Sequence, residues 1–202
     1  MILTPSELTS TKFAAFGQVI AARTSATSEA NQGTASRFDD LAVLQNLREG
    51  CKSNVCLFRS AKRPLEDGGK DDGVVSEDGS GMFRVHLLER HPYSSQMFVP
   101  MNCQKRWLIV VALSKPEKDG VDVCKEGNAG PDYSTMQAFL ASSNQGINFA
   151  AGVWHHPLIA LESDTDFACV VHEDGSSDDC HVVEMQNSVL VNIPPSPNTS
   201  KM

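Results

Sequence analysis

The chain has 202 residues, 41% of them hydrophobic and 21% charged, and carries a formal net charge of −8. This is the composition of an ordinary soluble globule long enough to bury a real core, and its acidity leaves no basic stripe to neutralise nucleic-acid phosphates. No apolar run approaches the roughly 18–20 residues of a membrane span, and the first thirteen residues lack the basic-then-apolar order of a secretory signal.

Residues 5–16 are predicted to form a short opening helix, capped by Thr4 or Ser6 and burying Leu8, Phe13 and Phe16. Residues 18–20 begin a strand, and 24–35, small and polar, read as a loop. Strands are predicted at 55–58, 82–88, 97–101, 107–113, 135–140, 153–160, 167–171 and 188–193. Each is short, rich in β-branched and aromatic residues, and bounded by Gly, Pro, Asn or Asp. Many short strands separated by turns indicate a barrel or sandwich. The stretches 64–81 and 115–132 read as solvated loop insertions, and 194–202 as an extended, accessible tail. One domain is therefore expected over 1–193. The six cysteines, at 51, 56, 103, 124, 169 and 180, show neither C-x-x-C nor zinc-finger spacing. Cys51 and Cys169 read as plain core residues, and the protein as reduced and intracellular.

Two segments concentrate the chemistry: Glu89-Arg90-His91-Pro92, running on through Gln96-Met97-Phe98-Val99-Pro100-Met101, and Gly152-Val153-Trp154-His155-His156-Pro157. On a strand Glu89 and His91 share one face, while His86, Leu88 and Arg90 share the other. A turn over 92–95 returns the chain, and Gln96, Phe98 and Pro100 then share a face. The order resembles the first metal motif of cupin barrels, His-x-His followed a few residues later by Glu, here filled as Glu89-x-His91-x-x-x-x-Gln96. Ala150-Ala151-Gly152-Val153-Trp154-His155 matches the second cupin motif, Pro-x-Gly-x-x-His, except at the proline. Glu89, His91 and His155 would form a three-ligand open site for a divalent first-row metal, with Gln96 a weaker oxygen donor. A metal-free site built on the same inward groups is the competing reading. His155 and His156 point to opposite faces, so at most one belongs to the site, and Trp154 packs on the side of His156.

Across most of its length the chain resembles the ureidoglycolate lyases, also called ureidoglycolate hydrolases, of allantoin degradation. The resemblance runs through Phe16-Gly17-Gln18-Val19-Ile20, Arg37-Phe38-Asp39-Asp40-Leu41-Ala42, Phe58-Arg59-Ser60 and Asn144-Gln145-Gly146-Ile147-Asn148-Phe149. It is strongest in the Glu-Arg-His-Pro and Trp-His-His-Pro blocks, and the two insertions look more like a fungal version of the family. It implies a mainly β, cupin-like barrel or jelly roll of two antiparallel sheets with a short N-terminal helix. It also implies a homodimer, and cleavage of ureidoglycolate to glyoxylate and urea. That reaction needs a base for the hydroxyl proton, an acid for the departing urea nitrogen and a cation for the carboxylate. Glu89 or His91 is expected as the base, His155 as acid or metal ligand, and Gln96 as the fourth catalytic group. Arg59 or Arg37 is expected to clamp the carboxylate as a bidentate pair, with Asn148 joining substrate binding and Asp166 in support. The cofactor is a divalent metal ion or none.

Rival readings are a metal-dependent cupin enzyme of other chemistry, a dioxygenase or isomerase, and a non-catalytic small-ligand-binding cupin. Ser200-Lys201-Met202 resembles the Ser-Lys-Leu peroxisomal address, so a peroxisomal location is expected, with the cytoplasm as the alternative. A fluorescent fusion with this C-terminus free that stays diffuse would rule the address out.

Overall fold

The computed structural model describes residues 1–66, 79–103, 105–116 and 130–196. Most of the two predicted insertions, and the tail from residue 197 with its Ser-Lys-Met, lie outside the described residues. The first half holds β1 (Ile2–Leu3), β2 (Ser6–Glu7), α1 (Ser10–Phe13), β3 (Gly17–Ile20), β4 (Ser28–Ala30), β5 (Ala35–Arg37), β6 (Lys52–Ser60), β7 (Gly81–Arg90) and β8 (Gln96–Pro100). The second holds β9 (Arg106–Ser114), β10 (Pro131–Ser142), β11 (Gly146–Phe149), β12 (Trp154–His155), β13 (Ile159–Ala160), β14 (Thr165–Glu173) and β15 (His181–Ile193). The fold is mainly β, as its β-branched and aromatic runs dictate.

Two large sheets and one small hairpin result. The larger sheet runs β1-β15-β7-β12-β9-β10-β2 with β13 added on β9; the second runs β3-β11-β8-β14-β6; β4 and β5 pair alone. The larger sheet begins with β1 and ends with β2, yet Leu3 and Ser6 are joined only by Thr4 and Pro5. Three extended residues span about 11 Å, so the edges approach each other and the sheet curls towards closure, consistent with a cupin-like fold. Among the described residues the named strands pair antiparallel except at those edges, where β1 lies parallel to β15 and β2 parallel to β10.

Alternation along the strands divides the buried residues into two cores. Phe83, Val85, Leu88, Val110, Met136, Trp154, Val189 and Val191 meet on one face of the curled sheet. The other face, with α1 and the second sheet, encloses Phe13, Phe16, Phe98, Trp107, Ile109, Val111, Phe139, Ile147, Phe149, Phe167 and Cys169. Phe13 anchors this second core, its ring 5.5 Å from Phe139 and 6.1 Å from both Phe16 and Phe149.

Three local expectations change. The helix predicted over 5–16 shrinks to α1, capped by Thr9 Oγ1 accepting from Lys12 N at 3.3 Å. Ser6 and Glu7 are instead drawn into the sheet beside Phe139 and Leu140, tertiary pairing overriding helix propensity; Leu8, Phe13 and Phe16 are buried as expected. The loop at 24–35 contains the β4–β5 hairpin, which turns through Asn31 and Gln32 at φ of 51° and 60°. The strand read over 153–160 is two short ones, because Pro157 cannot donate to the ladder. β11 carries no alternation to read, since all four of its residues are buried.

Candidate active site

The two chemical segments meet because β12 pairs with β7, setting His155 opposite Glu89. Gly152 holds φ at 80°, a left-handed conformation that favours glycine, and its N–H donates to His91 O at 2.8 Å. That bond ties the second segment to the first. β8 begins with Gln96, which approaches from the second sheet. Glu89, His91 and His155 offer donor atoms that lie within 4.8 Å of one another.

Each side chain is oriented by neighbours. His91 Nδ1 donates to Asp179 O at 2.8 Å, leaving Nε2 buried with no hydrogen-bond partner among the described residues. His155 Nδ1 donates to Val153 O at 3.0 Å, and Nε2 faces Gln96 Oε1 at 3.1 Å and Glu89 Oε1 at 3.5 Å. The His155 ring is sandwiched, stacked on Phe149 at 4.1 Å and 12° and facing His91 at 5.8 Å and 20°. Phe149 faces this core together with Ile147, two residues earlier on β11.

Electrostatics separate the roles. Burial works against a charged Glu89, but the hydrogen bond to His155 and the charges of His155, His91 and His156 outweigh it and hold the carboxyl below its usual range. Burial, reinforced by the charge of His155, lowers the His91 pKa, the nearby Glu89 charge only partly opposing it. An ionised carboxylate thus sits beside a neutral imidazole with a free lone pair. The same donor set suits a divalent first-row ion, which binds imidazole nitrogen and carboxylate oxygen at about 2.0–2.2 Å. The orphaned, buried His91 Nε2 is the observation that favours this fit.

The remaining predicted residues lie elsewhere. Arg59, 77% exposed on β6, makes a bidentate pair with Asp166 at 2.9 and 3.1 Å. Arg37, 66% exposed, is paired with Asp39 at 2.7 Å. Asn148 is fully buried, its Nδ2 donating to Gln18 Oε1 at 2.8 Å and to Val43 O at 3.0 Å, with Oδ1 unpartnered. It fastens the segment around Val43 to the second sheet. Sequence reading missed the stacking role of Phe149, because β11 is buried throughout and gives no alternation that would single the ring out. It also missed Asp179, whose contribution is a backbone carbonyl and leaves no signal in residue type.

His156 occupies the opposite face, as alternation requires, with its ring 5.3 Å from Phe83 and 6.1 Å from His86. Burial, aided by Arg63 and His86 and only partly opposed by the bond to Pro157 O and by Glu89, pushes its pKa down to about 4. The unfolded chain therefore takes up this proton first. Stability attributable to His156 is full above the unfolded value of about 6.5 and declines as pH falls towards about 4, by at most about 3 kcal/mol. Denaturant unfolding between pH 7 and pH 4.5 should show that loss in the parent and a flatter profile in His156→Gln. Equal slopes would contradict it.

Comparison with known proteins supplies the family. The family model described as ureidoglycolate lyase matches residues 1–192. A ureidoglycolate lyase of Burkholderia cepacia is 35% identical over 185 residues, covering 92% of this chain and 87% of that protein. One from Burkholderia mallei (strain NCTC 10229) is 39% identical over 163 residues, covering 81% and 78%. One from Escherichia coli (strain K12) is 32% identical over 179 residues, covering 88% and 91%. The fungal character read from the two insertions is not borne out, these relatives being bacterial. Matched by the family model over residues 1–192 and by a named relative at 35% identity over 92% of its length, the chain belongs to the ureidoglycolate lyase family.

Proposed function

We propose that this protein is an enzyme that cleaves ureidoglycolate to glyoxylate and urea. The observation that carries the reading is the convergence of Glu89, His91, Gln96 and His155 in a chain whose relatives bear the lyase name. The readings as another metal-dependent cupin enzyme or a non-catalytic binder are not favoured by that family match.

The substrate carbon bears a hydroxyl, a ureido nitrogen and a carboxylate. In the cleavage, the O–H electron pair becomes the second bond of the new carbonyl, and the C–N pair leaves on nitrogen, which takes a proton. Glu89, held ionised, is placed to accept the hydroxyl proton. His155, whose two ring nitrogens face the oxygens of Val153 and Gln96, would supply the proton to the leaving nitrogen. The Glu89–His155 contact of 3.5 Å lets the abstracted proton return to the ring, closing the cycle. Gln96 and Phe149 fix the plane of that ring. Glu89, His91 and His155 are also the residues that would hold a divalent ion, and such an ion would supply Lewis acidity towards substrate oxygen.

The substrate carboxylate still requires a cation. Arg59 and Arg37 would have to exchange Asp166 and Asp39 for it, and a raised KM in either alanine variant would support that exchange. The deciding experiment is product analysis of purified protein with ureidoglycolate. Glyoxylate and urea in equal amounts are expected; ammonia in place of urea, or no turnover, would refute the reading. A chelator added to the same assay separates the two versions of the site. Loss restored by a divalent ion supports Glu89, His91 and His155 as its ligands, and unaffected turnover supports action without one.

A homodimer belongs to the same proposal. On the outer face of the second sheet, Val55 and Leu57 of β6 are 74% and 53% exposed, and β6 has β14 as its sole strand partner among the described residues. A long strand with an open edge is a template for another strand, and a second copy of β6 would offer the same uncharged run from Ser53 to Phe58, apolar from Val55 onwards. Sedimentation of the parent should give a dimer mass, and the double variant Val55→Asp, Leu57→Asp a monomer. A parent that sediments as a monomer would end this part of the reading.

A further inference from the structure

A second cluster of polar groups lies across the curled sheet from Glu89, on the face that carries His156. Residues 62–66 cross this face, bridging to it at Lys62–Ala160 and Glu66–Met82. Between this crossing and β7 lies a pocket of about 220 Å³, lined by Arg63, Leu65, Glu66, Phe83, Arg84 and His86. Gly81 is required for the approach, since a Cβ there would stand 2.8 Å from Leu65 Cβ.

The charges in this pocket do not cancel. Glu66 accepts from Arg84 through both carboxylate oxygens, each at 2.7 Å. Arg63 has no carboxylate partner among the described residues; its guanidinium stands over the Phe83 ring at 5.7 Å. Half-buried and backed by an aromatic face, it presents a planar fork of donors with no acceptor among the described residues. His156 packs against Phe83 and His86, two walls of this pocket. Its Nδ1 donates to Pro157 O at 2.7 Å, so its Nε2 is an acceptor, and that atom is buried without a partner. Arg63 and His156 thus flank the Phe83 ring, a cation and a buried acceptor each unmatched among the described residues, and buried polar atoms in native structures are nearly always satisfied.

We propose that this pocket binds a small carboxylate, the acid group meeting Arg63 over the Phe83 ring, at a site distinct from Glu89, His91 and His155. This goes beyond the lyase reading and does not depend on it. The volume admits only a compact ligand, which fits the class of short carboxylic acids.

The test titrates the full-length, ¹⁵N-histidine-labelled protein with glycolate and follows the imidazole resonances. Saturable shifts at His86 and His156 are expected in the parent and, with the same affinity, in Glu89→Gln. Loss of a charged, bidentate contact should weaken them about tenfold or more in Arg63→Met. Ethylene glycol, which lacks the acid group, should produce none. Arg63→Lys, which keeps the charge and so guards against misfolding of the methionine variant, should bind with intermediate affinity. Shifts that are absent, that persist undiminished in both Arg63 variants, or that fall only on His91 and His155 would overturn the proposal. Product analysis with ureidoglycolate reads the other site, so the two proposals fail separately.

Discussion

Glu89→Gln is expected to lower turnover by about 10²–10⁴-fold, the range that positioned proton transfer supplies, while leaving the fold and KM little changed. The substitution keeps the volume and one acceptor oxygen but removes the negative charge that the histidines hold in its ionised form. The sign of the pH dependence follows from the lowered Glu89 pKa. Activity that needs the carboxylate should persist as pH falls through the usual carboxylate range and fail only below it, so long as the fold survives. His155→Gln should cost a comparable factor, and the double variant little more than either single one, because two residues that pass one proton act as a unit. Stopped-time product assays on the three variants decide the matter. Parent-like turnover in both single variants would remove these residues from the chemistry. A strictly multiplicative double loss would mean that they act independently rather than as a relay.

Local alternation and motif spacing made much of this site legible before any coordinates. Glu89 and His91 share a strand face because side chains alternate, and the two histidines of His155-His156 divide between the two cores for the same reason. The blocks around them carried the family. Legibility ended where an atom's partner comes from a distant backbone. His91 is held by the carbonyl of Asp179, eighty-eight residues away, and any residue type could supply it. The arginines show a different limit. Arg59 stands at the end of an apolar run, as read, but strand β6 is an edge strand and the guanidinium turns outwards to Asp166. An edge position is a property of sheet order, which sequence periodicity does not encode. The opening helix failed likewise, since β2 exists only because β10 offers it a free edge. Arg63 drew no attention in the sequence at all, because its significance lies in what it lacks: a carboxylate that Arg84 already occupies.

Phe149 joins the fold and the chemistry, and its two substitutions should separate them. The ring is 3% exposed, contacts Phe13 and Phe98 at centroid distances of 6.1 and 6.3 Å, and forms the floor under His155 at 4.1 Å. Phe149→Ala should cost about 3–5 kcal/mol of unfolding free energy, the range for an aromatic side chain cut from a core, because it leaves a cavity as well as losing transfer energy. Phe149→Leu nearly conserves volume and should cost less than about 1.5 kcal/mol. It still removes the flat surface that holds the His155 ring parallel. The leucine variant should therefore unfold close to the parent in urea yet turn over substrate more slowly, with kcat falling more than KM rises. A leucine variant of parental activity would reduce Phe149 to a packing residue. An alanine variant as stable as the parent would mean that the second core can collapse around the gap, against the dense packing of rings at its centre.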